Sequence, residues 1–205
     1  MGGLNCAACR GHGAFRFINA EGEPEALPCQ GDPRPFYRLA WAAGLARAKG
    51  KQHYASTRAL APDYHCLGLL GEAAFAAQSG LPLDLSDRVE GDGGVDFRVP
   101  NPAGPPVTIN VKTSRKMHLG MLVEQSQLVA DIYVAVDCPE YEPEMLGWAS
   151  RALIAQLPLE TYPSGQNYNV TYFASMPLLW EVLDPNPPRA PASPPAAPLR
   201  CEPRC

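Results

Sequence analysis

Two short runs of alternating residues constrain this chain more than anything else in it. In GVDFRV and VTINVKTS, apolar and polar side chains take turns along the chain. That is the period of a strand with one face in a core. The PNPAGPP stretch between them has the turn chemistry of a hairpin loop. In the second run Thr108, Asn110 and Lys112 share one face, and Ile109, Val111 and Thr113 the other. In the first, Asp96 and Arg98 face one side, with Val95, Phe97 and Val99 opposite. Pairing the two runs brings Asp96 near Asn110. A slip of one residue would turn the core side chains to solvent, so the register is tightly specified.

Upstream, GLLGEAAFAAQSG reads as the body of a helix from Tyr64 to Gly80, with Gly80 as its stop. Glu72 sits in it among Leu69, Leu70, Phe75 and Ala76. An acid on a helix, an acid on a strand and an Asn-x-Lys unit on the next strand can converge on one point. Mg²⁺ takes hard oxygen ligands, keeps several waters, and is anchored by one or two carboxylates. It lowers the pKa of a bound water and neutralises charge on a transferring phosphate. Glu72, Asp96 and Asn110 are the candidate ligands. Lys112 is the candidate for orienting the attacking water or stabilising the developing charge.

These residues, in the frame GEAAF…GDGGVDF…INVKTS…ADIYVAV…GWAS, resemble the PD-(D/E)XK nuclease superfamily, and within it the small phage-encoded members. The resemblance covers roughly residues 67–183. It implies an α/β fold with a mixed central β-sheet flanked by helices, a restriction-endonuclease-like core, and an active site at one end. It also implies Mg²⁺ or Mn²⁺ as cofactor, DNA as partner, hydrolysis of phosphodiester bonds in recombination, repair or DNA processing, and the host-cell cytoplasm as location. The chain departs from the superfamily at Asn110, where an Asp or Glu is the pattern. Asn offers a metal its carbonyl oxygen but no charge, and Glu72 and Asp92 are the acids that can compensate. The alternative is a catalytically inactive nucleic-acid-binding or adaptor protein on the same fold.

Seven cysteines fall into three groups, with Cys6, Cys9 and Cys29 at the start, Cys66 and Cys138 in the body, and Cys201 and Cys205 near the end. The opening CAACRGHG matches C-x-x-C-x-G-x-G and resembles the knuckle of DnaJ-type cysteine-rich domains. Two thiolates at this spacing form half a tetrahedral zinc site. Cys29 is the natural third ligand and His12 the nearest fourth, with His53, His65 and Cys66 as other candidates. A redox pair or unligated thiols remain open. Disulfides are not expected in a chain without a secretory signal pattern.

A net charge of −4 does not advertise nucleic-acid binding, but the charge is unevenly spread. Between Pro33 and Pro62 lie Arg34, Arg38, Arg47, Lys49, Lys51 and Arg58 and no acid. Arg115, Lys116 and His118 follow Lys112, whereas the stretch from Asp137 to Asp184 is acidic. Phosphate needs a local positive surface, not a positive total.

Other chemistries fit poorly. There is no G-x-S-x-G, P-loop or HExxH, and GDGG precedes a strand instead of opening a helix. Asp131 and Asp137 flank the apolar run IYVAV and read as end-of-strand caps, and Cys66 and Cys138 read as core thiols. Gln125 and Gln127 are candidates for meeting DNA or the attacking water, or form an ordinary polar face.

The chain therefore divides into a zinc-knuckle-like segment (1–32), a nuclease-like domain (33–184) and a Pro/Ala-rich disordered tail (185–205). Expected elements are a hairpin in the first segment, helices over 36–50 and 64–80, a first strand or irregular approach over 83–89, and the 94–114 hairpin. Strands at MLVEQ, ADIYVAVDC and LGWAS follow, then a helix over 150–157, an edge strand at YNVTYF and a last element over 175–183.

Overall fold

The computed structural model describes residues 6–50, 63–86, 93–102, 104–162 and 165–183. In chain order the elements are β1 (Ala14–Ile18), β2 (Pro24–Pro28), α1 (Arg34–Gly50), α2 (Asp63–Ser79), β3 (Leu83–Asp84), β4 (Phe97–Val99), β5 (Val107–Ser114), β6 (Met121–Glu124), β7 (Ile132–Asp137), β8 (Glu144–Ser150), α3 (Arg151–Ile154), β9 (Leu159–Tyr162), β10 (Gly165–Val170) and α4 (Met176–Leu183).

The strands form three sheets, ordered β2-β1-β3, β4-β5-β7-β8 and β6-β10-β9. The four-stranded sheet is mixed: β5 and β7 run parallel, with antiparallel β4 and β8 at its edges. Its centre is β7, whose IYVAV run is buried on both faces, as a central strand requires. Tyr133 in that run keeps its hydroxyl satisfied: it donates to the Gln127 carbonyl at 2.8 Å and accepts from the Ala130 amide at 3.1 Å.

Each face of this sheet has its own core. One gathers Ile109, Val111, Val134 and Phe97 with Leu69, Ala73 and Phe75 of α2. There Gly71 lies directly on Thr113, and a Cβ at that position would overlap the threonine hydroxyl. Such a close approach of helix to strand tolerates only glycine. The Phe75 ring packs on Phe97 at 4.9 Å and on Trp180 of α4 at 5.5 Å. The other face gathers Val95, Tyr133 and Ala135 with Met121, Val123, Tyr168 and Val170 from the third sheet. Helices α1 and α2 pack through small residues, with Gly44 set against the backbone of Cys66.

The mixed α/β class follows the sequence reading, but the partition into sheets does not. A single central sheet was expected; β6 and β10 instead leave it and pair with each other and with β9 as a separate layer. Strand β3 is only two residues long and joins β1 in parallel. The N-terminal hairpin is thereby stitched to the body, with Phe15 stacked on Phe36 of α1 at 5.1 Å. The last strand covers Gly165–Val170, shifted toward the N-terminus from YNVTYF, and α3 is a single turn instead of reaching residue 157. Val95 does not share a face with Phe97: Val95 belongs to the second core and Phe97 to the first. The chain has turned through Gly93 and Gly94, both at positive φ, so strand alternation does not extend back to Val95. Residues 87–89 and the tail lie outside the described residues.

Candidate metal centres

The first centre is local. Cys6 and Cys9 open a tight turn that continues through Arg10, Gly11 and Gly13, all at positive φ. The His12 amide donates to the Cys9 carbonyl at 2.9 Å, and the Cys29 amide donates to the Gly13 carbonyl at 3.0 Å. The β1–β2 hairpin therefore returns Cys29 to the turn. The sulfurs of Cys6, Cys9 and Cys29 all lie within 4.8 Å of one another, with Cys6 and Cys29 at 3.5 Å. Zn–S bonds near 2.3 Å in a tetrahedron separate sulfurs by about 3.8 Å, so the three are close enough to share one metal of that size. The backbone amide of Cys9, helped by the Cys29 thiol, holds the Cys6 thiol below its ordinary value. Burial pushes Cys29 up to about 11. A metal must displace that proton to bind.

His12 is not part of this group. Its ring rests against Gly80 at the end of α2, and its Nε2 lies 3.3 Å from the Gln78 carbonyl. The turn that closes the cysteines swings the intervening histidine outward onto the helix. Cys66 and His65 are also outside the sulfur group, in α2; His53 lies outside the described residues.

The second centre is assembled across the fold. Phe97 pairs with Ile109, so Asp96 stands opposite Asn110, as the hairpin reading expects. Its amide donates to the Ile109 carbonyl at 2.9 Å, and the Val111 amide donates to its carboxylate at 2.5 Å. Since β4 begins only at Phe97, this carboxylate caps the edge of β5 where a strand would otherwise continue. Asn110 is 4 % exposed. Its Nδ2 donates to the Gly94 carbonyl at 2.9 Å, and its Oδ1 is buried without a hydrogen-bond partner among the described residues. Because a carbonyl can only accept, Gly94 fixes which end of the amide is left over. Lys112 Nζ lies 3.5 Å from Oε1 of Gln127.

Asn110 and Lys112 stand beside Tyr133 and Ala135 of β7, on the face covered by the third sheet. Glu72 comes from the other face, on α2. Successive residues turn about 100° around a helix. From Gly71, which touches Thr113, Leu70 turns toward Cys138 beyond β7 and Phe75 toward Phe97 of β4. Glu72 falls on the same side of the helix as Phe75, the side that meets β4. It is half-buried there.

Asp92 lies outside the described residues. Asp131 and Asp137 are caps, as expected: Asp131 accepts from the Thr108 amide and hydroxyl and pairs with Arg151 at 2.9 Å, and Asp137 accepts from the Met117 amide at 3.1 Å. Two cations of the first basic stretch are already engaged. Arg34 pairs with Asp32, and Arg47 donates to the carbonyls of Asp84 and Ser86. The sequence reading missed the Gly94 carbonyl as the group that orients Asn110; the EGDGG glycines were its signal. It also missed a cavity of about 1020 Å³ between α1 and the loop after β7, lined by Arg34, Arg38, Trp41, Tyr141 and Glu142 among others. No family model, no curated protein and no solved structure matches this chain.

Proposed function

We propose that this protein is a metal-dependent deoxyribonuclease that hydrolyses DNA phosphodiester bonds with Mg²⁺ or Mn²⁺, on a restriction-endonuclease-like core made by the β4-β5-β7-β8 sheet and α2. The observation that carries the reading is the Asn110 Oδ1, turned by Gly94 and without a partner among the described residues, beside Asp96 and two residues before Lys112. Leaving a buried amide oxygen unpaired costs on the order of 1–3 kcal/mol. A hard cation is the partner such an oxygen lacks. Asp96 and Asn110 would hold the ion, with Glu72 reaching it around the β5 edge. Bound there, the ion would lower the pKa of a water and offset charge on the phosphate. The Lys112 ammonium adds positive charge on the same face as Asn110, where the phosphate oxygens would lie.

The neutral Asn110 favours the second reading, an inactive nucleic-acid-binding or adaptor protein on this fold. Cleavage of duplex, branched and single-stranded DNA with Mg²⁺ or Mn²⁺ separates the two. In an active enzyme Lys112→Ala removes about 100-fold or more of the rate, the usual loss for one charge-stabilising group, with the unfolding midpoint unmoved. Asp96→Ala does the same but also uncaps Val111, so Lys112→Ala is the cleaner variant. Wild-type protein that binds DNA and cuts none of the three substrates refutes the nuclease reading.

For the cysteine cluster the metal proposed is zinc, whose borderline-soft character suits thiolates. Purified protein then carries about one zinc per chain, lost in a Cys6→Ser, Cys9→Ser variant.

A further inference from the structure

The cavity of about 1020 Å³ between α1 and the loop after β7 is used by none of the chemistry assigned above. One wall is a single stripe of α1. Arg34, Tyr37, Arg38 and Trp41 stand at i, i+3, i+4 and i+7 and so share one helix face. Behind them Tyr37 and Trp41 pack on the core of Leu67, Leu70 and Cys138, which gives the cavity a rigid apolar floor. The other wall is the loop Glu140, Tyr141 and Glu142. Trp41 and Tyr141 join the two walls edge to face, with ring centroids 4.8 Å apart. Tyr141 has a φ of 64°, a region that bulky side chains rarely adopt. Its ring is braced there by Trp41 and by Arg115. The Arg115 guanidinium lies 5.2 Å from the ring centroid, and its Nη2 donates to the Tyr141 hydroxyl at 3.0 Å. Held in this way, Tyr141 still presents 49 % of its surface to a planar partner.

Charge is sorted by wall. On α1, Arg34 is paired with Asp32, and Arg38 beside it is exposed. On the loop, Glu140 and Glu142 are exposed. Guanidinium groups bind phosphate, carboxylates accept from the amines of bases, and aromatic rings stack bases of every kind. A nucleotide offers all three partners in one molecule. The position of Arg115 supports the same ligand. It follows β5 three positions after Lys112, about 10 Å along an extended chain. Ser114 of β5 pairs with Asp137 of β7, so Arg115 and Tyr141 lie beyond the same end of the sheet. Lys112 and Arg115 thus lead from the proposed phosphate site to this cavity.

We propose that this cavity binds an unpaired base of single-stranded DNA, stacked on Tyr141, with its amine edge toward Glu140 and Glu142 and its phosphate toward Arg38. The inference rests on the DNA reading above and deepens it, by naming a strand with unpaired bases as the substrate class. A free nucleotide offers the same chemistry, so the test includes one. Labelled oligodeoxycytidine, oligodeoxythymidine and deoxycytidine monophosphate are titrated into full-length protein without Mg²⁺ or Mn²⁺, and cleavage is measured separately with those ions. The cytosine strand binds more tightly than the thymine strand, whose bases carry no exocyclic amine. Tyr141→Asn weakens binding of the cytosine strand roughly 5- to 150-fold, the worth of one stacked base. Asn accepts positive φ, so the loop keeps its path. Tyr141→Phe keeps the ring and binds like wild type. Arg38→Ala, at an exposed position, reduces the slope of log affinity against log salt by about 0.7, one phosphate contact on a single strand. Unchanged affinity in Tyr141→Asn overturns the proposal, as does a thymine strand bound as well as the cytosine one. Deoxycytidine monophosphate bound as tightly as the strand makes the ligand a free nucleotide and overturns the strand. Protein that meets these expectations yet cuts no DNA refutes the nuclease reading and leaves this one standing. Protein that cuts DNA, with binding and rate unmoved by Tyr141→Asn, does the reverse.

Discussion

The cysteine turn and the Asp96 hairpin each set polar side chains close together, but they are built on opposite principles. The cysteine turn brings its three sulfurs together through one short hairpin and a run of positive-φ residues, within residues 6–29, although Cys9 is buried in the core of the body. The Asp96–Asn110 pair forms only because a hairpin and a parallel strand take their correct registers together. Its key groups are held by backbone: Asp96 by the Val111 amide, Asn110 by the Gly94 carbonyl. The first site is therefore sensitive to its own residues and the second to packing elsewhere.

Three variants press on that contrast. Phe15→Ala breaks the stack on Phe36 that joins the hairpin of the cysteine turn to the body. Deleting a buried aromatic ring costs about 3–5 kcal/mol, read as a lower midpoint in denaturant. Zinc content should survive it, because the cluster is local; loss of zinc together with stability would erase the distinction between the two sites. Gly71→Ala forces a methyl into Thr113, where helix meets strand beside the Asp96 edge. Overpacking of this kind costs about 1–3 kcal/mol. DNA cleavage is expected to fall more than the loss of folded protein explains, with zinc content unmoved.

The smallest effect is electrostatic. Hydrogen bonds from the Thr108 hydroxyl and amide, aided by Arg151, hold the Asp131 carboxyl below its usual range. A depressed folded pKa adds stability above the unfolded value near 3.9, and that stability is lost as pH falls through the folded one. Asp131→Asn should flatten this acid dependence by no more than about 1 kcal/mol, the scale of an exposed pair. An unchanged acid limb would show that the register of β5 against β7 does not lean on this cap.

Legibility in the sequence follows the same division. The hairpin register, both long helices and the central IYVAV strand were readable, because each depends on a local period or stop signal. The departure of β6 and β10 into a third sheet was not, since MLVEQ reads alike in any sheet. The His12 assignment failed because proximity in sequence says nothing about which way a tight turn points its middle residue. The orientation of Asn110 was hidden for a related reason. It depends on a main-chain carbonyl, and a glycine-rich stretch announces freedom without saying what that freedom is used for.

The pairing of β1 with β3 has a consequence for how the chain is made. Phe17 and Leu83 are 66 positions apart. During synthesis the N-terminal hairpin can close early, but the far edge of β1 stays without its neighbour until residues 83 and 84 have left the ribosome. For that interval the nascent chain carries an open strand edge beside Phe15 and Phe17, the type of surface on which chains join one another. A metal captured early by the cysteines would hold this hairpin in shape while it waits.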